Sequence, residues 1–103
     1  MKPLFTALIA AGAAMAFSVA AQAETDGEAI YNQACMACHM TGAAGAPIKG
    51  DSEVWEPRIE KGIDTLYEHS INGFNAMPPK GGNMSLSDEE VQAAVDFMVE
   101  AAE

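Results

Sequence analysis

Cysteine, histidine and positive charge are all scarce in this chain. Its 103 residues include two cysteines, two histidines and five Lys or Arg against fifteen Asp or Glu, a formal net charge of −10. Two cysteines cannot build a disulfide framework or a four-cysteine metal cluster. So few cations among so many carboxylates argue against nucleic acid or an anionic membrane surface as partner. No stretch alternates apolar and polar residues between turn signals, so strands are not expected and the fold class reads as all-α. After Glu24 no run is long and apolar enough to span a bilayer, and no repeat or low-complexity tract interrupts the chain.

The one long apolar run sits at the start. Met1 and Lys2 precede Leu4 to Ala20, and Ala21-Gln22-Ala23 places small residues at both positions of a cleavage site. Residues 1–23 therefore read as a secretory signal peptide, leaving residues 24–103 as one small exported domain with the periplasm as its expected location. An uncleaved anchor is the competing reading, disfavoured because Ala and Gly dominate the run. Cleavage would remove Lys2 and no acid, leaving Lys49, Arg58, Lys61 and Lys80 against all fifteen carboxylates. Such a balance serves either solubility or long-range steering toward a basic partner.

Both cysteines fall in one pentapeptide, Cys35-Met36-Ala37-Cys38-His39. Two thiols three residues apart, followed at once by an imidazole, is the attachment sequence for c-type haem. Each thiol can add across a haem vinyl group to form a thioether, which sets His39 beneath the iron as proximal ligand. A zinc site would need four N or S ligands in separated pairs, and adjacent Cys38 and His39 are awkward partners on one small ion. A thioredoxin-like dithiol would sit beside a strand-helix-strand pattern, whereas helix and a Gly-rich loop surround this motif. A disulfide across two intervening residues closes too small a loop to stabilise much. Haem is the favoured reading, and it would also supply the apolar centre that so small a domain lacks.

Capping and periodicity outline the helices. Thr25 or Asp26 can cap a first helix through Glu28, Ile30 and Tyr31 to the cysteines. Gly42, Gly45 and Pro47 stop it. Ser52 opens a short helix past Trp55, which Pro57 is expected to confine to its first turn or to kink. Asp64 is expected to cap a third helix through Leu66, Tyr67 and Ile71, ended by Gly73. Ser87-Asp88-Glu89-Glu90 forms a capping box before Val91, Ala94, Val95, Met98 and Val99, which repeat at helical spacing.

The second axial position decides between carrier and catalyst. Met1 and Met15 leave with the signal, Met36 and Met40 lie too near His39, and Met98 belongs to a helical stripe, which leaves Met77 and Met84. Met77 is favoured because Pro78 and Pro79 stiffen the chain beside it and bias it toward an extended conformation. His69 is a weaker candidate, placed off the inward face of its helix or at its margin, where a solvated histidine beside Glu68 is the commoner outcome. An open site would instead indicate a haem enzyme or sensor, or a haem subunit of a sulfur-oxidising or denitrifying system.

Together, Ile30-Tyr31-Asn32, Cys35 to His39, Gly42 to Pro47, Gly50-Asp51, Trp55, Pro57-Arg58 and Gly73-Phe74-Asn75-Ala76-Met77-Pro78-Pro79-Lys80-Gly81 resemble the cytochrome c5 family of bacterial class I cytochromes c. The resemblance covers essentially all of residues 24–103. It implies a small helical fold whose first and last helices cross, one covalently bound haem with an edge near solvent, and one-electron transfer rather than turnover of a substrate. It implies His39 and Met77 as axial ligands, and Pro47 as the residue whose carbonyl accepts the proton of the proximal histidine. It also implies redox proteins, including basic or membrane-bound respiratory complexes, as partners. Many members carry a cysteine pair in the loop after the methionine, where this chain has Asn83 and Leu86. Trp55 and Arg58 can lie near the haem propionates, though a core aromatic and a solvated charge are the simpler readings. Ala43, Ala44, Ala46, Pro78 and Pro79 can form an apolar docking patch.

Overall fold

Regular structure begins at Asp26, whose backbone is extended and whose carboxylate accepts from the amides of Glu28 and Ala29 at 3.1 and 3.2 Å. Those amides are among the donors that a first helical turn leaves unpaired. The computed structural model describes residues 25–103; the segment read as a signal peptide, residues 1–23, lies outside the described residues. Helix α1 (Gly27–Ile30) runs directly into a π-helical stretch (Tyr31–Cys35) and then into α2 (Met36–His39). A regular helix as far as the cysteines is what the sequence predicts. The π-helical stretch instead carries extra backbone per turn, so residues beyond it are rotated about the axis relative to a regular helix. Tyr31 stays in the core at 2 % exposure while the haem-motif residues follow on a re-aimed backbone.

Three more helices follow, α3 (Ser52–Ile59), α4 (Ile63–Asn72) and α5 (Asp88–Ala102), with short 3-10 turns at Ala43–Gly45 and Pro79–Gly82. Among the described residues the sole β-pairing is an isolated bridge between Phe74 and Met77, so the fold is all-α. Two expectations are corrected. α3 continues through Pro57 to Ile59, because the carbonyl of Glu53, deprived of its amide partner, lies on an exposed turn where water can satisfy it. α4 is capped by Gly62, in a conformation with φ 99°, and Asp64 falls inside the first turn, where its charge still complements the helix dipole.

The capping box at Ser87 is formed in full. Ser87 Oγ accepts from the Glu90 amide at 3.1 Å, and Glu90 Oε1 accepts from the Ser87 amide at 2.8 Å. From this start α5 buries Val91, Ala94, Val95, Met98, Val99 and Ala102 along one face. α1 crosses that helix at Gly27, where an added Cβ would collide with the backbone carbonyl of Ala93 and lie 3.2 Å from Phe97 Cβ. The Tyr31 and Phe97 rings meet at the same crossing, with centroids 5.4 Å apart. α4 is tied to α5 by the Tyr67 hydroxyl, which donates to Asp96 Oδ1 at 2.6 Å, and α3 by Ser52 Oγ, which donates to the Ala102 carbonyl at 2.9 Å. These ties frame the space between α2, α3, α4 and α5.

Gly27→Ala is expected to overpack the crossing and cost about 2 kcal/mol, lowering the thermal midpoint by about 10 °C. A midpoint unchanged from wild type would show that the helices can separate without loss. A second prediction concerns alkali. Donation to Asp96, more than burial, pushes the Tyr67 hydroxyl up to about 12 from its ordinary 10.0. The folded state therefore holds this proton more tightly than the unfolded one, so the contribution is complete below pH 10 and lost as pH rises toward about 12. Tyr67→Phe should flatten that part of a stability–pH curve measured by denaturant unfolding.

Candidate functional site

The framed space is a cavity of about 410 Å³. Cys35 and Cys38, both free thiols, lie on its wall beside His39. Burial pushes the Cys35 thiol up to about 11, which keeps it neutral at ordinary pH. Cys38 is exposed. His39 is 7 % exposed, and its Nδ1 is 2.8 Å from the carbonyl oxygen of Pro47. A carbonyl can only accept, so Nδ1 carries the proton and Nε2 is left with a free lone pair. The loop that delivers Pro47 is itself fastened. The Lys49 amide donates to the His39 carbonyl at 2.7 Å, and Trp55 Nε1 donates to the Ile48 carbonyl at 2.9 Å.

Met77 reaches the cavity from the segment between α4 and α5. Its backbone is held at both ends, the Phe74 amide donating to the Met77 carbonyl at 3.0 Å and the Met77 amide to the Phe74 carbonyl at 2.9 Å. Asn75 closes this two-residue turn in a left-handed conformation, φ 53°. Pro78 and Pro79 follow, so a hydrogen-bonded turn and two fixed φ angles bracket the thioether.

Cys35, Cys38, His39, Pro47 and Met77, the five residues singled out from sequence, thus share one cavity. Met84 does not line it and is 65 % exposed. His69 does line it and is half-buried, stacked on Phe74 with centroids 3.9 Å apart and planes at 10°. The imidazole thus sits at the margin of its helix's inward face, less solvated than the simplest reading has it, with one face of its ring covered by the exposed Phe74. Trp55 is a core aromatic, 4 % exposed, with its N–H committed to Ile48. Arg58 is half-buried on the cavity wall and donates through Nη1 to the Val54 carbonyl at 2.6 Å, so the fully solvated charge is corrected too. Lys61, Leu66, Val95 and Met98 are among the further lining residues that were not singled out for the site. For Val95 and Met98 the helical stripe was the available signal, because a face that fills a core also faces what the core encloses.

Charge is sorted sharply around the cavity. Among the described residues no carboxylate is on its wall, whereas Arg58 and Lys61 are. The lining is thus apolar with a cationic margin, two thiols and an oriented imidazole.

Comparison with known proteins agrees with this chemistry. A family model described as cytochrome c oxidase, cbb3-type, subunit III matches residues 22–98. Cytochrome c-555 of Chlorobaculum tepidum is 44 % identical over 97 residues, covering 90 % of this chain and 85 % of that protein. Cytochrome c5 of Azotobacter vinelandii is 43 % identical over 74 residues, covering 70 % and 89 %. Among solved structures, a mono-heme ferrocytochrome c from Shewanella putrefaciens superposes with a TM-score of 0.64 at 48 % identity, covering 73 % of this chain and 93 % of that one. A chain of the crystal structure of an electron transfer complex of nitrite reductase with cytochrome c gives a TM-score of 0.72 at 40 % identity, covering 75 % and 94 %. The chain belongs to the cytochrome c5-like family of class I c-type cytochromes.

This cytochrome carries one covalently bound haem c, and the cavity fits it. Two thiols on the cavity lining suit two thioether bonds. Apolar Leu66, Val95 and Met98 suit the macrocycle, and Arg58 and Lys61 suit its anionic carboxylates. Where relatives of the c5 type can have a cysteine pair, Leu86 is buried at 6 % exposure and its amide donates to the Asn83 carbonyl at 3.2 Å. Asn83 Oδ1 accepts from both the amide and the hydroxyl of Ser85. Apolar burial and a hydrogen-bonded turn thus close the loop of this cytochrome. Trp55→Phe, which removes the donor to Ile48 and keeps most of the ring, should destabilise by about 1 kcal/mol in thermal unfolding of the haem-loaded protein; no change would show that the loop bearing Pro47 is held without it.

Proposed function

We propose that this cytochrome is a one-electron carrier whose iron is held between Nε2 of His39 and Sδ of Met77, working in the periplasm after loss of residues 1–23. The observation that carries the reading is the shared cavity lined by both a tautomer-fixed His39 and a doubly pinned Met77. The haem supplies reversible ferric–ferrous chemistry when bound. The chain supplies everything that tunes it. A thioether is a soft ligand that favours ferrous iron relative to a second imidazole, and the apolar lining disfavours the additional charge of the ferric form, so both raise the potential. His39, oriented by Pro47, loses no entropy finding its position. With both donors pinned by backbone, little has to move when an electron arrives.

Redox proteins are the natural partners, in keeping with the electron transfer complex in which a similar chain is found. Ala43, Ala44 and Pro78 are exposed at the cavity margin, joined by Phe74 at 43 % exposure. Such a small apolar face, on a chain of strongly negative net charge, suits transient docking on a basic partner. A second reading, a haem subunit of a larger oxidase, is favoured by the name of the matching family model. Its mark would be stable co-purification with membrane subunits at high salt.

Met77→Ala should abolish the far-red absorption band by which a thioether on ferric haem is recognised, lower the potential, and let the reduced protein bind carbon monoxide rapidly. An unaltered band in the variant, or rapid carbon monoxide binding by the wild type, would sink His/Met ligation.

A further inference from the structure

Lys80 is the one cation of the described chain drawn into the fold between its methionine loop and α5. Its side chain is 16 % exposed, and Nζ donates to the carbonyl of Leu86 at 2.7 Å while lying 3.2 Å from Asp88 Oδ1. The backbone of Lys80 is left-handed, φ 55°, a conformation that a lysine enters only at an energetic cost. The next residue, Gly81, is left-handed as well, with φ 63°, and seats so closely on the π-helical stretch that an added Cβ would lie 2.7 Å from the Ala34 carbonyl. An uphill backbone pressed against the attachment helix needs something to hold it. The ammonium group does this, bridging from its own turn to the last residues before α5 and to the first turn of that helix.

Resting on the His/Met reading above, we propose that Lys80 is a positioning residue for Met77, a side-chain strap that keeps the thioether on the iron. Met77 and Lys80 are mechanically coupled, because Pro78 and Pro79 between them have fixed φ angles and transmit displacement instead of absorbing it. The bond to Leu86 does most of the holding. It joins a charged donor to a buried backbone acceptor, whereas the ion pair has a partner 65 % exposed and screened by water. Asp88 acts in another way, offsetting the unfavourable meeting of a cation with the positive end of the α5 dipole.

The strap is tested on the haem-loaded ferric protein with imidazole as the probe, since imidazole binds only when the thioether leaves. Lys80→Met should accelerate imidazole binding by about tenfold, equivalent to ~1.4 kcal/mol, and weaken the far-red band at room temperature. Asp88→Asn should accelerate it by only about two- to threefold, in keeping with a screened ion pair, and carries the test should Lys80→Met not accumulate. Gly27→Ala is the control for general destabilisation and should leave the imidazole rate near that of wild type. A Lys80→Met rate within twofold of wild type, or an equal acceleration in Gly27→Ala, overturns the strap while leaving ligation by Met77 standing. A wild-type protein without the far-red band overturns the ligation, and the strap with it.

Discussion

The proton on Nδ1 of His39 can go to one acceptor only, and the chain between Thr41 and Lys49 is bent to bring the Pro47 carbonyl to it at 2.8 Å. Release that bond and the imidazole can turn or change tautomer, and the free lone pair on Nε2 is no longer held in place. The surrounding structure shows how much is committed to it. The His39 carbonyl takes the Lys49 amide, closing the loop on the residue from which it departs, and the Trp55 indole clasps Ile48 next to Pro47. α3 exists in part to carry that indole, and Ser52 fastens α3 to the end of α5.

On the other side of the chemistry, Met77 is held by backbone alone at its own position and by Lys80 at the end of a proline pair. The contrast with His39 is physical. An imidazole has two nitrogens and must be told which to use, so it needs a hydrogen-bond partner. A thioether has no proton to place, and all that can be controlled is where its chain goes. Charge follows the same division of labour. None of the described carboxylates is on the cavity wall, whereas Arg58 and Lys61 are, and Lys80 in the methionine loop meets the Leu86 carbonyl; Lys49 lies apart, near the Tyr31 and Phe97 rings.

Much of this was legible in the residues. Cys35, Cys38 and His39 are spaced for one purpose, and the proline pair after Met77 marks a stiff loop. The α5 stripe and the Ser87–Glu90 box are local patterns that tertiary structure had no reason to override. What could not be read depended on meetings between distant segments. His69 looks solvated on a helical wheel, yet one face of its ring is covered by Phe74 from the following turn. Asp64 looks like a cap, yet Gly62 is free to take the conformation that the helix start demands. The π-helical stretch at Tyr31–Cys35 has no sequence signature of its own; it appears because Gly27 and Tyr31 must meet α5 while Cys35 and His39 must meet the cavity, and a regular helix does not serve both.

The cavity between the helices has a consequence for the life history of the molecule. The described part of this short chain has ten buried apolar residues as its own core, and the middle of that core is space shaped for a group the ribosome does not provide. Attachment of the haem therefore completes the core rather than adding to its surface. Without it Met77 keeps its hydrogen-bonded turn and its proline pair, but Leu66, Val95 and Met98 face unfilled volume.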